Sequence, residues 1–107
     1  MMNLRYDSRS MRIRVSQQEA EALLRSGEHI EALWSATGLS RVEVRCSDVE
    51  RIMLVPDSTC ALKVEVPRRA LEEHIKGGPE IASPLQSGAA VGEIRFEVDR
   101  FTKRKER

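Results

Sequence analysis

Histidine and cysteine are the residues of this chain best suited to catalysis or metal binding, and the chain has two of each. His29 follows a Gly-Glu pair and is expected to face solvent, whereas His74 falls on the apolar border of a predicted helix. Acid–base or nucleophilic catalysis needs a histidine held beside a serine, cysteine or carboxylate in a cleft. The spacing of these residues requires no such pair. We therefore predict no catalytic residues and expect that the chain is not an enzyme.

The same four side chains offer the atom types that bind zinc, but their spacing does not favour a site. Cys46 and Cys60 are far apart in the sequence, and so are the two histidines, whereas zinc sites are built from closely spaced ligand pairs. The Gly77-Gly78-Pro79 segment follows a predicted helix, while phosphate-binding glycine loops precede one. We predict no metal and no cofactor, and we expect each cysteine to fill a small apolar position beside a strand.

Arginines give the strongest candidate for a binding surface. Arg5, Arg12 and Arg14 lie on two neighbouring predicted strands, where their side chains would converge on one polar face. Paired guanidinium N–H groups suit phosphates and acidic side chains. The alternative is a solvated ladder of ion pairs, because glutamates occupy outward positions of the other strands. Those glutamates are Glu43, Glu65 and Glu97.

Length and composition indicate one folded domain. The chain has 107 residues, of which 40% are hydrophobic and 33% charged, with a net charge of +1. That mixture excludes a disordered chain, and no run is apolar enough for a membrane span. The N-terminal residues lack the apolar core of a secretory signal, so we expect a bacterial-type cytoplasmic protein with reduced thiols.

Charge is unevenly distributed along the chain. Residues 100–107 hold five basic residues and one glutamate, so the remainder carries a small net negative charge. A dedicated nucleic-acid-binding protein concentrates positive charge on its folded surface instead. We predict a domain over residues 1–101 followed by a basic, disordered tail over residues 102–107.

Strict alternation of apolar and polar residues predicts the main strands. Ile13 and Val15 begin a pattern that recurs around Val44, Val64 and Phe96. One-sided alternation is typical of a mainly antiparallel sheet with one solvated face. We therefore predict an α+β domain with a mainly antiparallel sheet or open barrel of about seven or eight short strands.

Two helices interrupt these strands, each with recognisable ends. Ser16 and Glu19 form the Ser-x-x-Glu capping box of the first helix, and Gly27 supplies its left-handed end. The second helix begins at Pro67, because proline suits a first helical turn, and Gly77 ends it.

The two strand–helix units resemble each other. A shift of 51 residues places the first strand and helix on the second and Ile30 on Ile81. This predicts two strand-strand-helix-strand pseudo-repeats, although any two amphipathic units would align almost as well.

Residues 79–90, which contain two prolines, are predicted to form a long loop. Trp34, the only tryptophan, is expected to fill the core.

Over most of its length, the chain resembles a family of small uncharacterised bacterial proteins. Those proteins begin with a basic strand, a turn, an Ile-Arg-x-Arg-Leu-like strand and a Ser/Thr-x-x-Glu helix cap. The matching residues here are Arg12-Ile13-Arg14, the cap pair Ser16 and Glu19, and the Gly27-Glu28 that closes the helix. In that family the last strand is followed by an acidic residue, then by Phe and Cys. Here Asp99-Arg100-Phe101-Thr102 stands in that place. The resemblance implies no activity.

These observations leave two main hypotheses for function, and a small-ligand pocket between the two halves and under the predicted 79–90 loop stays open as a third. The first is a non-enzymatic protein-interaction or binding module that forms a homodimer or binds a protein partner, because sheet edges must be covered. The second is an accessory protein that binds a polyanion or nucleic acid through Arg5, Arg12, Arg14 and the basic tail. A membrane partner is not expected.

Overall fold

A computed structural model describes residues 2–36, 38–87 and 89–99 and confirms the predicted α+β class. Its eight strands and two helices follow one another along the chain as β1 (Asn3–Tyr6), β2 (Ser10–Ser16), α1 (Gln17–Ser26), β3 (Glu28–Ser35), β4 (Gly38–Ser47), β5 (Met53–Leu54), β6 (Leu62–Pro67), α2 (Arg68–Ile75), β7 (Ile81–Ser87) and β8 (Ala90–Asp99). Residues 102–107, predicted to be a tail, lie outside the described residues. Neither helix of the described chain is long and apolar enough to cross a membrane.

The strands form two four-stranded sheets rather than one common sheet or a closed barrel. One sheet has the order β1-β2-β8-β7, and the other has the order β3-β4-β6-β5. The central pair of each sheet, β2 with β8 and β4 with β6, is parallel, and the outer pairs are antiparallel. Each sheet is therefore mixed, and each takes strands from both halves of the chain.

The two sheets have the same pattern of strand pairing. Strands β1, β2, β8 and β7 of the first sheet correspond, in this order, to β5, β6, β4 and β3 of the second sheet. The registers agree as well, which can be followed along one row of paired residues in each sheet. These rows are Leu4, Ile13, Phe96, Ile81 in one sheet and Leu54, Val64, Val44, His29 in the other.

The core is built from the inward positions of both sheets and closed by the helices. Phe96 is its largest fully buried side chain, with Ile13 and Val64 buried around it. Helix α1 contacts strands of both sheets, as does α2, and the helices also contact each other. Both helices are thereby held against a single apolar cluster.

The predicted ends of the first helix are confirmed, whereas the second helix begins at Arg68, one residue after Pro67, which is the last residue of β6. The Ser16 hydroxyl accepts a hydrogen bond from Glu19 N–H at 3.1 Å, and the Glu19 carboxylate accepts one from Ser16 N–H at 2.8 Å. Gly27 has a φ of 86°, the left-handed region that favours glycine at a helix end.

The prediction of a long loop over residues 79–90 is wrong, because most of that segment is strand β7. Ile81 and Ser83 are buried and Leu85 is half-buried, while Ala82 and Pro84 are exposed, so the segment alternates like any other strand. Pro84 lacks an N–H but is tolerated because β7 is at the edge of its sheet.

The predicted alignment of the two units is also shifted by one residue at its end. The register rows place His29, not Ile30, at the position that Ile81 occupies in the other sheet. The connection between α2 and β7 is longer than that between α1 and β3, and the added length displaces the alignment beyond the helices.

Candidate functional site

The structure brings the three predicted arginines to one outer sheet face. Arg5 pairs directly with Arg12 across β1 and β2, and Arg12 pairs with Arg95 of β8. Arg14 lies two residues along β2, opposite Glu97. The predicted convergence is therefore present in the fold, although its role in binding stays a prediction.

Carboxylates neutralise most of this charge. Glu97 Oε1 accepts a hydrogen bond from Arg14 Nε at 2.9 Å and lies 3.7 Å from Arg12 Nε. Burial raises the pKa of Glu97, but the hydrogen bonds and charges of its neighbours, those of Arg14 foremost, together outweigh it, and the pKa is lowered overall. Arg95 is paired with Glu93 and Glu80. Within the described chain, Arg5 is the arginine of this face that has no ion-pair partner.

The other glutamates of the predicted ladder belong to the second sheet. Glu43 points outward from β4 yet is only 3% exposed, because three cationic side chains cover it. Arg45 Nε donates to it at 2.7 Å, Arg41 at 3.0 Å, and Lys63 Nζ lies 3.6 Å away. Hydrogen bonds from Arg45 and then Arg41 lower the pKa of Glu43. The charge of the Glu43 carboxylate is therefore fully compensated by its cationic neighbours.

Asp57, beside this network, gives a test of the electrostatics. Thr59 donates to its Oδ1 through Oγ1 at 2.6 Å and N–H at 2.8 Å, and Lys63 Nζ lies 3.2 Å from Oδ2. These bonds, those of Thr59 first, lower the pKa of Asp57 to about 2. Since the folded-state pKa is lowered, the stabilisation is present above the unfolded pKa of ~4 and is lost as the pH falls toward the folded value.

We expect an NMR titration of the Asp57 carboxyl carbon to have its midpoint at about 2. In Thr59→Ala the midpoint should move up toward the ordinary aspartate value, because the strongest hydrogen bond is removed. A wild-type midpoint near 4 would contradict this description of the loop.

The histidines and cysteines do not assemble into a common site. His74 is buried, where Val98 N–H donates to its Nε2 at 3.1 Å and its Nδ1 lies 3.1 Å from Gly78 O. Cys46 and Cys60 are both free thiols, the first buried and the second half-buried. Burial raises the pKa of the Cys46 thiol, which makes it a poor nucleophile.

A different feature, the free edge of β3, stands out on the surface. Trp34 is 81% exposed, so the expectation that it fills the core is wrong. Ile30 is 43% exposed, and Ala32 between them is also exposed. Leu39, the cross-strand neighbour of Trp34 on β4, is 61% exposed. The edge of this sheet is therefore lined by apolar side chains.

Backbone groups of β3 are also directed away from the sheet. The Ser26 hydroxyl donates to Glu28 O at 2.8 Å and accepts from Glu28 N–H at 3.4 Å, so the backbone groups of Glu28 point away from β4. In an antiparallel strand alternate residues face the same way. The N–H and C=O groups of Ile30, Ala32 and Trp34 consequently lie along the free edge.

The equivalent edge of the other sheet is blocked. The register rows place Ala82, Pro84 and Gln86 of β7 where β3 has Ile30, Ala32 and Trp34. Proline interrupts edge pairing because it has no N–H. The remaining edge strands, β1 and β5, are four and two residues long. Of the four described edges, β3 is therefore the long one without a proline.

A polar cluster on the inner side of β3 was missed by the sequence analysis. His29 is half-buried instead of facing solvent, and its Nε2 lies 2.9 Å from Glu31 Oε1 and 3.6 Å from Glu19 Oε2. The His29-x-Glu31 spacing, which places both residues on one face of a strand, was the available signal. These three residues could together hold a metal ion.

No family model matches the chain, and neither a curated protein nor a solved structure matches it. The resemblance to small bacterial proteins therefore stays a prediction.

Proposed function

We propose that this protein is a non-enzymatic interaction module that forms a homodimer through the free edge of β3. The observation that carries the proposal is the contrast between Ala32 on β3 and Pro84 at the equivalent position of β7. Natural sheets block long edge strands that are not meant to pair. One edge of this fold is blocked in that way, and the other is open and apolar.

A second copy of the chain is the occupant that fits this edge. Antiparallel pairing of β3 with its partner's β3 about Ala32 would join the two sheets into one of eight strands. Ile30 would then face Trp34 of the partner subunit, and each Trp34 would remain beside its own Leu39. Aromatic and β-branched pairs across strands contribute ~0.2–1 kcal/mol each, in addition to the burial of their apolar surface.

The matching strand pairing of the two sheets supports an internal pseudo-repeat. If the halves arose as copies, the first half kept an open edge while the second acquired Pro84.

The two free thiols support a cytoplasmic location.

The proposal predicts a change of mass in Ala32→Pro. Wild-type protein should sediment at twice the 12.1 kDa chain mass, and Ala32→Pro should sediment as a monomer. The substitution copies Pro84 and removes an N–H that points away from β4, so the monomer should keep its fold. Analytical ultracentrifugation over a range of concentrations measures both masses.

Ala82→Pro is the matched control, because it places proline on the other edge strand. It should leave the dimer unchanged. A wild-type protein that stays monomeric at high concentration would contradict the proposal, and so would an Ala32→Pro variant that folds and remains dimeric.

The arginine face supports a second candidate function, the binding of a polyanion or nucleic acid. The row of Arg5, Arg12 and Arg95 across three strands favours it, and the ion pairs of Glu97, Glu93 and Glu80 weaken it. Binding of this kind would give heparin retention that falls with salt and is lost in an Arg5→Ala, Arg12→Ala variant. Retention would be the same in Ala32→Pro, which separates the two functions.

A further inference from the structure

The inner side of β3 carries three side chains that approach one another closely. His29 and Glu31 are two residues apart on the strand, and Glu19 reaches them from the first turn of α1. One donor atom of each lies within 4.8 Å of the other two. All three residues are half-buried.

One atom of this cluster is left without a partner. Glu31 Oε1 accepts hydrogen bonds from Met2 N–H at 3.1 Å and is contacted by His29 Nε2 at 2.9 Å. Glu31 Oε2 is buried, and within the described chain it has no hydrogen-bond partner. A buried carboxylate oxygen without a partner is costly, because it has lost its hydration and gained nothing in return.

The fold does not require the two β3 residues of this cluster, His29 and Glu31, whereas Glu19 also caps α1. In the second half of the chain the equivalent positions are held by Ala70 on α2 and by Ile81 and Ser83 on β7. Ser83 accepts a hydrogen bond from Ile52 N–H at 2.9 Å, just as Glu31 accepts one from Met2 N–H. Neutral side chains on β7 therefore build the equivalent strand, and the charged pair of His29 and Glu31 on β3 needs another explanation.

We propose that Glu19, His29 and Glu31 form a binding site for a divalent transition-metal ion, best represented by Zn²⁺. Imidazole and carboxylate groups bind Zn²⁺ at about 2.0–2.2 Å, which places the donor atoms of a tetrahedral site ~3.3 Å apart. The observed distances from His29 Nε2 to the two glutamates, 2.9 and 3.6 Å, bracket that value.

The charge of the cluster fits a dication. Two carboxylates and one imidazole would balance the ion, and bidentate binding by Glu31 would give Oε2 the partner it lacks. Three protein ligands leave a fourth position for water or another donor, as in zinc sites that are open to ligands. The site lies on the opposite side of β3 from Ile30 and Trp34, so it goes beyond the proposed dimer.

The test is Zn²⁺ binding by native mass spectrometry and by competition with a chelating dye. Wild-type protein should bind one Zn²⁺ per chain. A His29→Ile, Glu31→Ser variant copies the second half, so it should fold, and its affinity should fall by at least ~100-fold. Glu28→Gln, which removes an exposed carboxylate of the same strand, should bind as wild type does.

Cys60→Ser is the second control, because a half-buried thiol is itself a zinc ligand. One Zn²⁺ should still bind to this variant, and also to monomeric Ala32→Pro, so that failure of the dimer is distinguishable from failure of the site. The proposal is overturned if the wild type binds no Zn²⁺ in excess metal. It is equally overturned if binding survives in the His29→Ile, Glu31→Ser variant or is lost in Cys60→Ser.

Discussion

Replacing Phe96 with alanine is expected to lower the free energy of unfolding by about 3–5 kcal/mol. Phe96 is fully buried and is the largest such side chain in the described core. It sits on the central strand β8 between Ile13 of β2 and Ile81 of β7, so rigid sheet surrounds the space that its ring would leave. A small domain is stable by only ~5–15 kcal/mol, so this loss removes a large part of the total.

Urea denaturation followed by circular dichroism measures the effect of Phe96→Ala. Val91→Ala on the same strand is the matched control, because Val91 is 71% exposed. That substitution should change the free energy of unfolding by no more than ~0.5 kcal/mol. A Phe96→Ala loss as small as that of the control would contradict the packing described for the core.

Replacing His74 with leucine is expected to cost about 1–3 kcal/mol, because the buried N–H of Val98 loses its acceptor. Leu23 holds the equivalent position on α1, so leucine suits the helix and the core at this point. In the first half, however, the N–H of Cys46 donates to Gly27 O at 2.9 Å, and no side chain is needed there. In the second half the imidazole of His74 accepts the equivalent hydrogen bond, from Val98 N–H, instead of a backbone carbonyl.

Amide hydrogen exchange distinguishes this explanation for His74→Leu from a simple packing defect. The Val98 N–H should exchange faster in the variant relative to its neighbours on β8. Unchanged relative protection of Val98, or no loss of stability, would contradict the hydrogen-bonding role of His74.

Local signals in the sequence predicted much of the fold. The capping box of Ser16 and Glu19 and the left-handed Gly27 depend on interactions within one helical turn, so the sequence carries them directly. The alternating strands were predicted for the same reason. The division into two sheets depends on long-range pairing of β2 with β8 and of β4 with β6, and a single sequence gives no record of that pairing.

The candidate sites were harder to predict, because each depends on which side of a strand a residue faces. A slip of one residue exchanges the two faces of a strand. The expectation that His29 faces solvent after the Gly27-Glu28 turn hid the His29–Glu31 pair, and the expectation that Trp34 fills the core hid the exposed apolar edge. Pro84 contributed to the prediction of a loop where the chain forms strand β7. The same proline blocks the edge of β7, and the contrast between this blocked edge and the open edge of β3 supports the proposed dimer.

The most direct test of that dimer is amide hydrogen exchange at Ile30, Ala32 and Trp34. Their N–H groups lie along the free edge of β3, so only pairing with a second chain protects them. Ala82, on the equivalent edge of β7, is the internal reference. We predict strong protection of the three β3 amides in the wild type, and exchange of Ile30 and Trp34 as fast as Ala82 in Ala32→Pro. Exchange of the wild-type β3 amides as fast as Ala82 at high protein concentration would contradict the account.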